Sequence, residues 1–244
     1  MKLYKDIYKN SIQPFKMILE FYKGNIPQLN IHLGSLKSKL AIDHYISLNK
    51  KHPIFRKHSS GTMGVAVIGI RDYNSFSDYE KTLSGPRLIK NYRRCHKLGY
   101  YFNFLDPNEH IDEIHDINTS SSERQGKRMA ESYLKKVDKY EQEEFIEYAG
   151  VFNKEGRLVS YLGLLFLNEA VFITKWLGHK LFLKDKIQIL LVYKTIEQLF
   201  YKRESKYKNL KFIIADSFFT NSEGLSYFKK QFGFSPFAVK WLID

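Results

Sequence analysis

VSYLGLLF (159–166), AVFITKWLG (170–178), KDKIQILLVYKTIEQLFYKR (184–203), LKFIIADSF (210–218), SEGLSYFKKQFGF (222–234) and FAVKWLI (237–243) read in order as strand, strand, long helix, strand, helix and strand. A hairpin that feeds a helix must cross back to a new strand, so the sheet is expected to mix antiparallel and parallel pairs. Just upstream, EFIEYAGVFN (144–153) and RLVSYLGLLFLN (157–168) flank a Lys154-Glu155-Gly156 turn. A second turn near Asn168 and Glu169 makes these segments a three-strand meander.

Farther upstream, YYFNFLD (100–106) reads as a strand that ends at an Asp106-Pro107-Asn108 turn. NEHIDEIHDI (108–117) follows as an acidic amphipathic helix with Ile111, Ile114 and Ile117 inward. In SSSERQGKRMAESYLKKVDKY (120–140), Ser120 and Glu123 have capping-box spacing, which predicts a helix carrying Arg124, Gln125 and Gly126 in its first turns. GPRLIKNYRRCHKLG (85–99) predicts a helix with Pro86 in the first turn and Gly99 at the stop. Arg87, Lys90, Arg94 and Lys97 make one face of it basic, with Leu88 and Tyr92 as an apolar stripe. MGVAVIGI (63–70) reads as a buried strand and DYNSFSDYEKTLSG (72–85) as a loop. FKMILEFYKG (15–24) suggests a helix stopped by Gly24 and LKSKLAIDHYISLNKK (36–51) another before Pro53, followed by a basic loop that holds His52 and His58.

The 244 residues allow one large domain or two small ones, and 43% hydrophobic with 16% aromatic residues is enough for a substantial core. No run approaches the roughly 18 to 20 apolar residues a spanning helix needs, and the start carries no secretory pattern. The single cysteine, Cys95, excludes an intrachain disulfide and a multi-cysteine zinc site. The expectation is a cytoplasmic protein, with a peripheral position at the inner face of the membrane as the variant. The net charge of +13 is unevenly placed: residues 1–97 hold 18 Lys+Arg against 6 Asp+Glu, and the remainder holds 21 against 20. That asymmetry points to an anionic partner such as a phospholipid surface, lipopolysaccharide phosphates or RNA.

Taken from Leu98, the order strand, two helices, three-strand meander, helix, strand, helix, strand resembles the GCN5-related N-acetyltransferase (GNAT) fold. The resemblance implies an α+β mixed-sheet acyltransferase core over 98–244, with 1–97 as a basic N-terminal region packing on or extending it. It also implies acyl-CoA as donor, with its pyrophosphate at the start of the helix after the fourth strand. The matching segment is LGHKLFLKDKIQ (177–188), where Leu177, Gly178, Lys180, Lys184 and Lys186 are the expected cofactor-binding residues. Free N–H groups, a helix dipole and several ammonium groups would attract phosphate there. The family's loop is glycine-rich; here one glycine, Gly178, stands in it.

A second resemblance is to Fem-type acyl and aminoacyl transferases of the same fold. GPRLIKNYRRCHKLGYYF, IIADSFF and GLSYFKKQFGF carry it, the last through Gly224, Leu225, Phe228, Lys229, Phe232 and Gly233. Where the GNAT pattern places an acid tyrosine four residues before the glycine, this chain has Lys229, and Tyr227 lies six before. Acyl transfer to an amine needs an oriented carbonyl, a deprotonated amine and a protonated leaving group. His179 is the expected base, Glu169 and Asp216 are alternatives at strand ends, and Tyr227 is the remaining acid. Arg124, Gln125 and Arg128 are expected to bind the acceptor. No HExxH, P-loop, GxSxG or paired-cysteine metal signature is present, so no metal is expected.

The leading expectation is therefore an N-acyltransferase moving an acyl group from acyl-CoA to a small-molecule or glycan amine, such as an amino sugar or another cell-envelope component. A Fem-like enzyme drawing on aminoacyl-tRNA is one alternative. The other is a non-catalytic module of the same fold, bound to RNA or to an anionic membrane through the basic region.

Overall fold

The computed structural model describes residues 19, 26–51, 59, 61–83, 86–124, 127–219 and 223–244. In chain order its first half holds β1 (Gln28–His32), α1 (Lys39–Asn49), β2 (Val65–Gly69), α2 (Phe76–Thr82), α3 (Pro86–Lys97), β3 (Tyr101–Leu105) and α4 (Ile111–Thr119). Next come β4 (Glu123–Arg124), β5 (Lys127–Arg128), α5 (Glu131–Leu134), β6 (Ile146–Phe152), β7 (Leu158–Leu167) and β8 (Ala170–Gly178). The chain closes with α6 (Ile187–Ser205), β9 (Phe212–Ser217), α7 (Glu223–Gln231) and β10 (Ser235–Leu242). The expected α+β class with a mixed sheet is present: β1 with β10 and β8 with β9 run parallel, and the other recorded strand pairs are antiparallel. Of the two proposed N-terminal helices, Lys39–Asn49 is formed, whereas 15–24 lies outside the described residues apart from Leu19, which is helical. The loop at 52–58 is also outside them.

The chain divides into two compact units. The first comprises 1–72, 167–172 and 209–244. Its strands lie in the order β1, β10, β2, β9 and the start of β8. Ile31, Ala66, Val67, Ile68, Phe212, Ile213, Ile214, Phe232 and Phe234 form its interior. β1 pairs in parallel with β10 from Gln28 opposite Ala238 to His32 opposite Leu242. The sequence did not predict this strand, because only Ile31 of its five residues is buried and no alternation can be read from one position.

The second unit comprises 73–166 and 173–208. It contains the predicted meander, with the end of β8, β7, β6 and β3 in that order. β7 is buried along its whole length, as a central strand covered on both faces must be. Ile114 and Ile117 of α4 pack with Tyr140, Phe152, Leu158, Tyr161 and Leu177 into one cluster, and Ile111 is at its edge. Each such fully buried aliphatic side chain stabilises the fold by about 1.5–3 kcal/mol.

α3 ends where expected: Gly99 takes φ +84, a conformation that costs glycine nothing. Two other readings are corrected. Residues 72–85 hold a helix, α2, because the Ser75 hydroxyl accepts the Asp78 N–H at 3.2 Å and Tyr79 is buried beside Phe200. The helix expected from the capping box at Ser120 does not form; Glu123–Arg124 and Lys127–Arg128 pair as a short hairpin instead. Ser120 closes α4, its N–H bonding the Asp116 carbonyl at 2.9 Å and its hydroxyl the Ile117 carbonyl at 2.8 Å. A residue spent on ending one helix cannot also start the next.

Candidate functional site

Two strand ends carry the predicted chemistry, one in each unit. In the second unit β8 stops at Gly178, where any side chain would collide with the Gln188 amide. That amide donates to the Ser160 hydroxyl at 2.8 Å, which in turn donates to the Leu177 carbonyl at 2.7 Å. Arg124 completes the arrangement: Nη1 donates to the Gly178 carbonyl at 2.9 Å and Nη2 to the Ile117 carbonyl at 2.7 Å. The guanidinium thus staples the last turn of α4 to the end of β8, and burial pulls its pKa below the ordinary value. Such a group stays charged at any working pH. Arg124 was expected to meet an acceptor, yet two of its three nitrogens are committed to backbone carbonyls. Arg128 is exposed on the hairpin, and Gln125 lies outside the described residues.

His179 follows Gly178 and is almost fully buried. Its N–H bonds the Val159 carbonyl at 2.8 Å, and Nδ1 accepts the Leu181 N–H at 3.3 Å. An accepting Nδ1 places the ring proton on Nε2, which faces Asp116 Oδ2 at 3.3 Å. Asp116 also takes Arg157 Nη2 at 2.6 Å. Burial lowers the His179 pKa, Asp116 partly offsets this, and Arg157 and Arg124 push it down again. The imidazole is neutral with both nitrogens occupied. As placed, it has no lone pair with which to take a proton, so it acts as a fastener of the turn.

The following turn, Lys180–Asp185, is a 3₁₀-helix rather than an open loop. Its donors are largely spent. The His179, Lys180, Leu181, Phe182, Lys186 and Ile189 N–H groups bond Val159, Ser120, His179 Nδ1, His179, Leu183 and Lys186 respectively. Lys186, at the N-cap of α6, has φ +66. This donor set does not fit a pyrophosphate cradle, which needs several free N–H groups aimed at one point. The side chains of Lys180, Lys184 and Lys186 are exposed, and Leu177 is buried in the α4 cluster.

In the first unit, Glu169 also serves as a fastener. Oε2 accepts the His32 N–H at 3.0 Å and Oε1 is ion-paired with Lys211. Burial alone would raise its pKa, but the Lys211 bond and the His32 N–H outweigh it and hold the carboxyl below its usual value. A carboxylate so occupied is a poor base. Tyr227 is 58% exposed on α7.

The end of β9 differs from all of these. Asp216 takes φ +47 inside β9, where the register with β2 shifts between Val65 and Val67, and the Ala215 and Ser217 carbonyls on either side of it both meet α7. Lys229, only 3% exposed, donates its ammonium to both, with Ser217 O at 2.7 Å. Burial pulls its pKa down to about 8, although the neighbouring Asp216 opposes the shift. Two of the three ammonium hydrogens are committed, and among the described residues no partner takes the third. In the sequence Lys229 stands in a tyrosine's place and belongs to the Fem-like pattern from Gly224 to Gly233, with no chemical role assigned to it. A signal was there: Lys229 lies four residues after Leu225 and three before Phe232, on the inward stripe of its helix.

No protein-family model matches this chain, and no curated protein sequence does. Solved structures do. FemX superposes with a TM-score of 0.54 at 14% identity, over 71% of this chain and 59% of that one. The fold is the GNAT fold. L-PGS from Bacillus licheniformis matches at TM-score 0.45 and 17% identity, over 70% of this chain and 57% of that one. A GCN5-related N-acetyltransferase from Kribbella flavida matches at 0.43 and 9%, over 72% and 54%. This chain therefore spans under three-fifths of the length of each of these proteins. Among the described residues no helix is long and apolar enough to cross a membrane.

Proposed function

We propose that this chain is a GNAT-fold transferase that moves an acyl group from an activated ester to an amine, with Lys229 managing the proton. The observation that carries this reading is a buried lysine beside the positive-φ bend at Asp216, with a pKa near 8 and, among the described residues, one hydrogen without a partner. An acid works best when its pKa is close to the operating pH. The amine nitrogen attacks the acyl carbonyl, a C–N bond forms and the C–O bond of the ester breaks. Lys229 gives its third proton to the departing oxygen and regains one from the attacking nitrogen, so the enzyme is unchanged.

The donor supported best is an aminoacyl-tRNA. The turn at 180–185 has few free N–H groups for a pyrophosphate, and the ribose oxygen of an aminoacyl ester needs protonation more than a thiolate does. The basic residues of 1–97 suit a polyanionic donor. Acyl-CoA is the second reading, favoured by the exposed ammonium groups of Lys180, Lys184 and Lys186 beside the start of α6. The Fem-type resemblance supports an amino sugar or other cell-envelope amine as the acceptor.

The test uses the whole chain, tRNA charged with tritiated amino acids, acetyl-CoA in parallel, and hydroxylamine as a generic amine. Faster release of the amino acid from tRNA as its hydroxamate, lost in Lys229→Gln, supports the proposal. Transfer from acetyl-CoA alone moves the donor to the second reading. Transfer from neither, with the protein folded, leaves the non-catalytic module.

A further inference from the structure

The turn Lys180–Asp185 and the end of α3 expose leucines that the transfer chemistry does not use. Phe182 turns inward, its ring 5.4 Å from that of His179 and 6.4 Å from that of Tyr100. Beside this anchor Leu181 is 68% exposed, and Leu183, whose side chain reaches Gly178, is 40% exposed. The one carboxylate of the turn, Asp185, is drawn in by the Tyr100 hydroxyl at 2.8 Å. The Asp185 carbonyl accepts the Cys95 thiol at 3.0 Å, which fixes the turn against the last turns of α3. Leu98, 43% exposed, follows directly. Three partly exposed leucines thus lie on the turn and at the end of α3, where the turn's own acid is bonded to Tyr100.

Cations surround them. Lys180, Lys184 and Lys186 are exposed on the turn and its exit, and Arg87, Lys90, Arg93, Arg94 and Lys97 are exposed along α3. Among the described residues none of these eight is joined to a carboxylate. Burial pushes the Cys95 thiol up to about 11, so it adds no negative charge.

We propose that this surface docks the protein on an anionic lipid bilayer, with Leu98, Leu181 and Leu183 entering the interface and the lysines and arginines facing the headgroups. Basic residues held near an anionic leaflet are attracted to its headgroups. Apolar side chains that reach the acyl boundary add the hydrophobic part. RNA would use the same cations but would leave the three leucines in water, since its binding rests on phosphate contacts and base stacking. The leucines therefore favour the membrane. This inference stands apart from the transfer reaction and does not need it.

The experiment is flotation of the full chain with vesicles of phosphatidylglycerol and phosphatidylethanolamine, compared with vesicles of phosphatidylcholine alone. Binding to the anionic vesicles only is expected, weakened at high salt. Leu181→Asn with Leu183→Asn should reduce it at least tenfold while the thermal midpoint and circular dichroism stay unchanged, and Lys184→Glu with Lys97→Glu should do the same. Equal binding to both vesicle types, or none to either, overturns the proposal. So does undiminished binding by the leucine variant, or displacement by poly(U) that ignores the leucines; the latter assigns the surface to RNA.

Discussion

The two strand ends solve one problem with different cations. At the end of β8, Arg124 satisfies the Gly178 and Ile117 carbonyls; at the end of β9, Lys229 satisfies the Ala215 and Ser217 carbonyls. Both cations are drawn out of water, and burial pushes both pKa values down. A guanidinium starts so high that it never loses its proton, whereas an ammonium starts within reach of neutrality. The same geometry therefore yields a permanent fastener in one unit and a titratable group in the other. The residue type, rather than the arrangement, separates structure from chemistry here.

This contrast can be broken by substitution. Lys229→Gln keeps a donor for the carbonyls but has no proton to exchange; it should lower the transfer rate by about 10²- to 10⁴-fold, measured as hydroxamate formation. Arg124→Met should do the reverse. It leaves two carbonyls without their donor, at about 1–3 kcal/mol each, and a denaturant melt should report that loss while the rate per folded molecule stays near the wild-type value. A rate loss in Arg124→Met as large as that of Lys229→Gln would erase the distinction. Glu169→Gln is expected to have the smallest effect, about 1–2 kcal/mol from a weakened charge-assisted bond. Its folded pKa is depressed, so its contribution is complete above the unfolded value of 4.5 and is lost as pH falls through the folded one. The acid limb of the melting curve should accordingly be flatter in the variant.

The last third was readable because its signals are local. β-branched and aromatic runs, short turns and one long apolar helix place the meander and the crossover within about three residues of where they lie. What was missed depended on distant partners. β1 exists because β10 offers it an edge, and α2 exists because Ser75 caps it and Phe200 buries Tyr79. The capping-box pattern at Ser120 failed because that hydroxyl was already used by the preceding helix. The candidate site depends on distant partners in the same way. His179 and Glu169 look reactive in one dimension, but in three dimensions their polar atoms are bonded, and both Nη atoms of Arg124 are held by carbonyls. Lys229 looked like a missing tyrosine, and only the bent backbone at Asp216 gives it its setting.

The proton of Lys229 is the central claim, and it can be followed directly. In protein carrying ¹³C-labelled lysine, the Lys229 Cε resonance is assigned by its absence in Lys229→Gln and titrated against pH. A midpoint of about 8 is predicted. Because the folded pKa lies below the unfolded value of 10.5, stability relative to the variant should rise between those two pH values. A midpoint near 10.5, with no such rise, would contradict the account.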